Sequence, residues 1–106
     1  CSKSERSLAD FFTERGVAFR YEAKLAINGK VYYPDFMILC DDGRILIWEH
    51  SGLMDKEEYF ISACRKLEQY RRAGYVQHSN LICTYEEDLR SGAVLEEILL
   101  RYELYS

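Results

Sequence analysis

The chain has 106 residues, of which 48% are apolar and 30% are charged, and its formal net charge is −4. This balance is typical of a globular domain and excludes an intrinsically disordered chain. No apolar run approaches the roughly 20 residues that a membrane-spanning helix needs, and no signal-peptide pattern opens the sequence, so we expect a cytoplasmic domain without a membrane partner. The acidic balance argues against binding to nucleic acid by charge alone.

The length fits a single domain over residues 1–106. Because the sequence begins at Cys1 and not at a methionine, we expect a fragment of a longer protein. The four cysteines are widely spaced and form no C-x-x-C pair, which argues against a zinc site. We expect free, buried thiols, as in a reducing cytoplasm, at Cys1, Cys40, Cys64 and Cys83.

The first half of the chain predicts one helix and three strands. A helix is predicted over residues 4–15, because its apolar side chains recur at helical spacing and Gly16 follows. Ser2 and Glu5 have the spacing of a capping box at its start. The strands end at turn signals or at a charged residue: 18–27 before Asn28-Gly29, 31–40 before Asp41-Asp42-Gly43, and 45–49 ending at Glu49.

The second half predicts a long central helix over residues 55–73, ended by Gly74, then a strand over 80–85 and a helix over 93–104. The expected buried stripe of the central helix consists of Phe60, Ala63, Cys64 and Leu67. The order is α-β-β-β-α-β-α, and the central helix is long enough to be a crossover between parallel strands. We therefore predict an α/β fold with a four-stranded mixed sheet flanked by helices.

Asp35 and Glu49 are the residues that indicate chemistry. Each lies beside a strongly apolar run, where a lone carboxylate would be expensive to desolvate. Pairing of their strands about the Asp42-Gly43 turn brings the two acids to within one residue of register, which a small bulge would absorb. Two carboxylates that close share either a proton or a cation, and Mg²⁺ or Mn²⁺ takes oxygen ligands of this kind.

Glu5 is a third candidate acid. It lies on the apolar stripe of the first helix, where a glutamate is out of place, so one interpretation makes it a further metal ligand, directly or through water. The other interpretation is that Glu5 only closes the capping box. The sequence leaves both open.

Several segments, in order along the chain, resemble the PD-(D/E)XK nuclease superfamily, which has the restriction-endonuclease-like fold. The likeness is to the branch found as domains within bacterial DNA helicases and related proteins. The matching segments are Ser4-Glu5-Arg6, Phe19-Arg20-Tyr21-Glu22, Tyr33-Pro34-Asp35-Phe36, Ile47-Trp48-Glu49-His50-Ser51-Gly52 and Tyr59 through Lys66. The resemblance implies a magnesium-dependent nuclease that hydrolyses phosphodiester bonds in DNA. Its context would be DNA repair or a mobile element, with flanking domains of a parent protein such as a helicase.

The chain departs from the superfamily pattern at Ser51, where the usual lysine would fall. Lys66 is the natural replacement, since Arg65 points roughly 100° away on the helix, although Lys66 is also compatible with an ordinary solvated lysine. His50 is the other candidate and is similar in position to a histidine of very-short-patch repair endonucleases. Strand alternation would place His50 on the face opposite Glu49, which favours a structural role.

Lys66, Arg71 and Arg72 are the candidate nucleic-acid-binding residues on the central helix. The two arginines are also what the dipole of a helix C-terminus favours, so a phosphate contact is one of two interpretations. The missing lysine and the acidic net charge support an alternative function: a catalytically inactive nuclease-like fold that binds nucleic acid or protein.

Overall fold

The computed structural model describes residues 2–52 and 55–105. Its elements in chain order are α1 (Lys3–Glu14), β1 (Phe19–Tyr21), β2 (Leu25–Ile27), β3 (Lys30–Tyr32), β4 (Phe36–Leu39), β5 (Ile45–Ser51), α2 (Glu57–Arg72), β6 (Leu81–Tyr85) and α3 (Gly92–Arg101), with a short 3-10 helix at Glu86–Leu89. Cys1 lies outside the described residues. Within them, no helix combines the length and the apolar character that crossing a membrane requires.

The main sheet has four strands in the order β1-β4-β5-β6. The β1–β4 and β4–β5 pairs are antiparallel, whereas β5 and β6 are parallel and are joined through α2. The predicted α/β class, mixed four-stranded sheet and parallel crossover are thus confirmed.

Two of the predicted strands are shorter than the sequence suggested. The segment 18–27 is interrupted at Glu22, whose positive φ of 49° takes the chain out of the extended conformation. The segment 31–40 is interrupted at Pro34, which has no N–H to donate to a ladder. Each predicted strand therefore contributes one part to the main sheet and one part to a separate hairpin.

The separate hairpin consists of β2 and β3. Its two-residue turn is Asn28-Gly29, with φ of 50° and 81°, which is the left-handed pair that a type I′ turn requires. The turn prediction is confirmed, although the strands that it joins lie outside the main sheet.

Side-chain alternation along β5 divides the interior into two clusters. Trp48 faces α1, where the ring centroid of Phe12 lies 4.8 Å from that of Trp48 and 5.2 Å from that of Phe36. The preceding residue, Ile47, faces the other side and packs with Tyr70 of α2. Helices α1 and α3 thus cover one face of the sheet, and α2 with the hairpin covers the other.

The prediction of the buried stripe of α2 is wrong for the first half of the helix. Phe60 is 48% exposed and Cys64 is exposed, so neither belongs to the core. The helix meets the sheet mainly near its end, where Leu67 is half-buried and Tyr70 is fully buried. Residues of its first half line a cleft that the described residues form. Cys40 and Cys83 are free thiols, but they are half-buried where the sequence predicted buried residues.

Candidate metal-binding and catalytic site

The register of β4 and β5 sets Asp35 opposite Glu49. The ladder pairs Phe36 with Trp48, so the next position on each strand is one of the two acids. The predicted bulge is wrong: the turn comprises the three residues 41–43, with Gly43 at φ 90°, and the ladder from Phe36 to Leu39 is continuous. The backbone N–H of Asp35 donates to Glu49 Oε2 over 3.2 Å.

The carboxyl group of Asp35 is held between two neighbours. Its Oδ2 accepts a hydrogen bond of 2.9 Å from the backbone N–H of His50. Burial, followed by a hydrogen bond to the Glu49 carboxyl group and the charge of that group, raises the pKa of Asp35 to about 7. Two carboxyl groups this near each other favour either a shared proton or a neighbouring cation.

Glu49 is only 6% exposed, and three donors compensate for the burial of its carboxylate. Oε1 accepts a hydrogen bond of 2.5 Å from the Tyr70 hydroxyl and lies 2.8 Å from Lys66 Nζ. Because Asp35 N–H binds Oε2, both oxygens of the buried carboxylate have partners. The carboxylate is therefore fixed in orientation.

Lys66 lies at the acid pair, as its predicted role requires. Partial burial alone would lower the pKa of its ammonium group, but the adjacent Glu49 carboxylate, assisted by Asp35 and Glu5, raises that pKa above its ordinary value. Lys66 is therefore a cation at neutral pH and offsets part of the negative charge of the pair.

His50 projects to the opposite face of β5 from Glu49, as strand alternation predicted. Nε2 lies 2.9 Å from Glu86 Oε1, and Nδ1 lies 2.9 Å from Thr84 Oγ1. Because a carboxylate can only accept, the Nε2–H group donates a hydrogen bond to Glu86. In the neutral ring, Nδ1 then accepts a hydrogen bond from the Thr84 hydroxyl. Thr84 Oγ1 also accepts from Trp48 Nε1 at 2.9 Å. Both ring nitrogens are engaged, and His50 reaches Asp35 through its backbone.

Glu5 has a capping contact in α1 and also lines the larger of two cavities near the acid pair. Its backbone N–H donates to Ser2 Oγ over 3.1 Å, so Ser2 caps α1 as predicted. Its carboxylate accepts a 2.8 Å hydrogen bond from the Tyr21 hydroxyl and faces a cavity shared with Lys66. Among the described residues, no three His, Cys, Asp or Glu side chains are close enough to hold one metal ion. A contact of Glu5 with the metal through water stays a prediction.

Two adjoining cavities form a cleft at this end of the sheet. The smaller, of about 180 Å³, contains Asp35 and Glu49 in its wall. The larger, of about 530 Å³, lies between the start of α1, the end of β5 and α2. The residues that line both cavities are His50, Ser51, Ala63 and Lys66.

Arg71 and Arg72 are not at this cleft. Both are exposed and form ion pairs with Glu68 on the same helix, at 2.7 and 3.2 Å. Hydrogen bonding to Arg71 lowers the pKa of Glu68 to about 2. Of the three predicted nucleic-acid-binding residues, only Lys66 lines the cleft in the described part of the chain.

Three residues that hold the site together were missed by the sequence reasoning: Tyr70, Thr84 and Glu86. Tyr70 lies one helical turn after Lys66 and hence on the same side of α2, which was the available signal. Thr84 is a polar residue in an otherwise apolar strand. Nothing in the sequence distinguishes Glu86 from the acids that follow it.

Comparison of the chain with protein-family models, with curated proteins and with solved structures finds no match in any of the three. The functional conclusion therefore depends on the geometry of the cleft.

Proposed function

We propose that the chain is a metal-dependent nuclease domain with a restriction-endonuclease-like arrangement, which hydrolyses phosphodiester bonds in DNA. The observation that carries this proposal is the pairing of Asp35 with Glu49, in which the Asp35 N–H donates to Glu49 Oε2, beside Lys66 and at the wall of a cleft. A hydrolytic site for a phosphodiester needs anionic oxygens for a divalent ion and a cation near the developing charge.

The side chains present fit a hard divalent cation. Asp35 and Glu49 offer carboxylate oxygens; burial and the neighbouring Glu49 carboxyl group raise the pKa of Asp35, and a bound cation would offset the repulsion between the two groups. Mg²⁺ commonly keeps several waters and needs only one or two carboxylates from the protein. When bound, the ion supplies positive charge that polarises a phosphoryl oxygen and makes water more acidic.

The chain's own residues then have distinct roles. Tyr70 and the backbone of Asp35 hold Glu49, and the backbone of His50 holds Asp35, so both acids are oriented before substrate arrives. Lys66, at the junction of the two cavities, stabilises negative charge on the phosphate as the bond breaks. We assign this role to Lys66 in preference to His50, because both ring nitrogens of His50 already have partners.

The proposal is tested by cleavage of labelled DNA with Mn²⁺ or Mg²⁺. We expect cleavage by the unaltered chain and none after Asp35→Asn or Glu49→Gln, which preserve shape and remove charge. Asp42→Asn is the matched control, because Asp42 is an exposed carboxylate in the turn between the same two strands. A chain that binds DNA without metal, equally well with both acids neutralised, would support the alternative of an inactive binding module.

A further inference from the structure

The larger cavity is not needed for the metal pair and has its own chemistry. Its volume of about 530 Å³ lies in the range of small-molecule sites, and it opens beside Lys66. Its lining also includes Glu5, Glu86, Tyr59 and Gly52. A methyl group in place of the Gly52 hydrogen would lie 3.2 Å from Glu86 Oε1, so the backbone at Gly52 lies close to the Glu86 side chain.

The charges in the wall indicate which part of a nucleotide enters. Lys66 is the sole lysine or arginine among the described residues that line the cavity, and it lies at the border with the acid pair. Glu5 is held by Tyr21, and Glu86 is held by Ser4 and His50, so both carboxylates are fixed acceptors. Such a wall repels a second phosphate and accepts hydrogen bonds from the hydroxyl and amino groups of a sugar and base.

Tyr59 supplies an aromatic surface for that base. It precedes Lys66 by seven residues, or about two helical turns, and therefore lies on the same side of α2. Its side chain is 48% exposed although it lines the cavity, so its ring is available to a ligand. Phe60, exposed to the same extent, is not part of the cavity wall and has no comparable position.

We propose that the larger cavity binds the unpaired nucleoside next to the scissile phosphate, with its base stacked on Tyr59. A base within a duplex is stacked between its neighbours and cannot enter a pocket unless it leaves the helix. The substrate class is therefore single-stranded or frayed nucleic acid and not continuous duplex. This inference rests on the proposed nuclease function, which places the phosphate at Lys66.

The test measures binding by fluorescence anisotropy, with Ca²⁺ in place of Mg²⁺. The probes are a short labelled oligothymidylate, an abasic oligomer with the same number of phosphates, and the oligothymidylate paired within a hairpin duplex. We expect the oligothymidylate to bind at least about fivefold more tightly than either of the other probes. Tyr59→Ala should remove this preference, Tyr59→Phe should retain it, and Phe60→Ala is the matched control that should leave it unchanged.

Equal affinity for the abasic oligomer and the oligothymidylate would overturn the proposal, as would equal effects of Tyr59→Ala and Phe60→Ala. Failure of the nuclease function is recognised separately, by the absence of Mn²⁺-dependent cleavage. A preference for unpaired bases that depends on Tyr59 would then still establish the nucleoside site. Conversely, cleavage of duplex and single strands that is indifferent to Tyr59 would overturn the nucleoside site alone.

Discussion

The backbone N–H of Asp35 donates a hydrogen bond to Glu49 Oε2 over 3.2 Å. This contact joins the residue before β4 to a residue near the end of β5, and it follows directly from the register of the two strands. The strand register thus sets the two acids side by side, and the Asp35 N–H, together with the Tyr70 hydroxyl, orients the Glu49 carboxylate. A site built in this way has little orientational freedom to lose when substrate binds.

Lys66→Met should lower the rate of DNA cleavage by about 10²–10³, the typical cost of removing one group that stabilises transition-state charge. The cause is the loss of the ammonium group that lies 2.8 Å from Glu49. The rate is measured under single-turnover conditions. Arg65→Met removes a neighbouring exposed cation and should leave the rate nearly unchanged. Equal losses of rate for the two variants would show that the total positive charge of the helix matters and that the position of Lys66 does not.

Tyr70→Phe should lower the free energy of unfolding by roughly 1–3 kcal/mol, because it removes a buried hydroxyl that donates to a carboxylate. The measurement is urea denaturation followed by circular dichroism. Tyr75 packs in the same cluster, and its hydroxyl forms no hydrogen bond with another described residue. Tyr75→Phe is therefore the control, and a similar loss there would contradict a specific role for the Tyr70 hydroxyl.

Thr84→Val should destabilise the fold by about 1–3 kcal/mol with little change in volume. The fully buried Thr84 hydroxyl accepts from Trp48 Nε1, and valine would leave that indole N–H without an acceptor. The His50 ring would also lose a partner. The thermal midpoint is the readout, compared with Thr13→Val on the exposed side of α1. An unchanged midpoint would mean that neither hydrogen bond matters.

The stability of the metal-free protein should fall as the pH rises from about 4 to about 7. The pKa of Asp35 is raised from 3.8 to about 7, chiefly by burial. Within this window, the folded protein therefore keeps a proton that the unfolded chain has released. The free energy of unfolding then decreases with pH, by at most about 1.4 kcal/mol per pH unit.

Asp35→Asn should flatten this pH dependence, and Asp42→Asn should preserve it. Hydrogen bonds from Arg44 lower the pKa of Asp42, so that group titrates below the window. The measurement is the urea midpoint at several pH values without divalent ions. A slope of the opposite sign in the unaltered chain would show that Asp35 is ionised throughout.

The neighbourhood of Asp35 and Glu49 could be predicted from the sequence because it depends on local signals. Turn residues at 41–43 and apolar runs on both sides define a hairpin, and the register follows from the turn length. The positions at which the two longer predicted strands are interrupted were harder to predict. Pro34 marks one interruption in the sequence itself, whereas the left-handed Glu22 has no such local signal; its N–H donates to the Asp35 carbonyl oxygen, a contact between distant segments.

The environment of α2 shows a different limit. Helical periodicity identifies a side of the helix but not how much of that side the sheet covers. Phe60 was expected in the core and is half exposed, whereas Tyr70, which was not part of the expected buried stripe, is completely buried. Tyr70 packs with Ile47 and Leu81 and donates to Glu49, and these long-range contacts do not follow from helical periodicity alone.

Calorimetric titration with Mn²⁺ in the absence of DNA tests the acid pair most directly. We expect one weak site in the unaltered chain, tighter at pH 8 than at pH 5 because a bound ion must displace the proton of Asp35. Asp35→Asn and Glu49→Gln should each abolish the site, and Asp42→Asn should retain it. Binding that persists after both acids are neutralised, or no binding in the unaltered chain at pH 8, would contradict a metal site at Asp35 and Glu49.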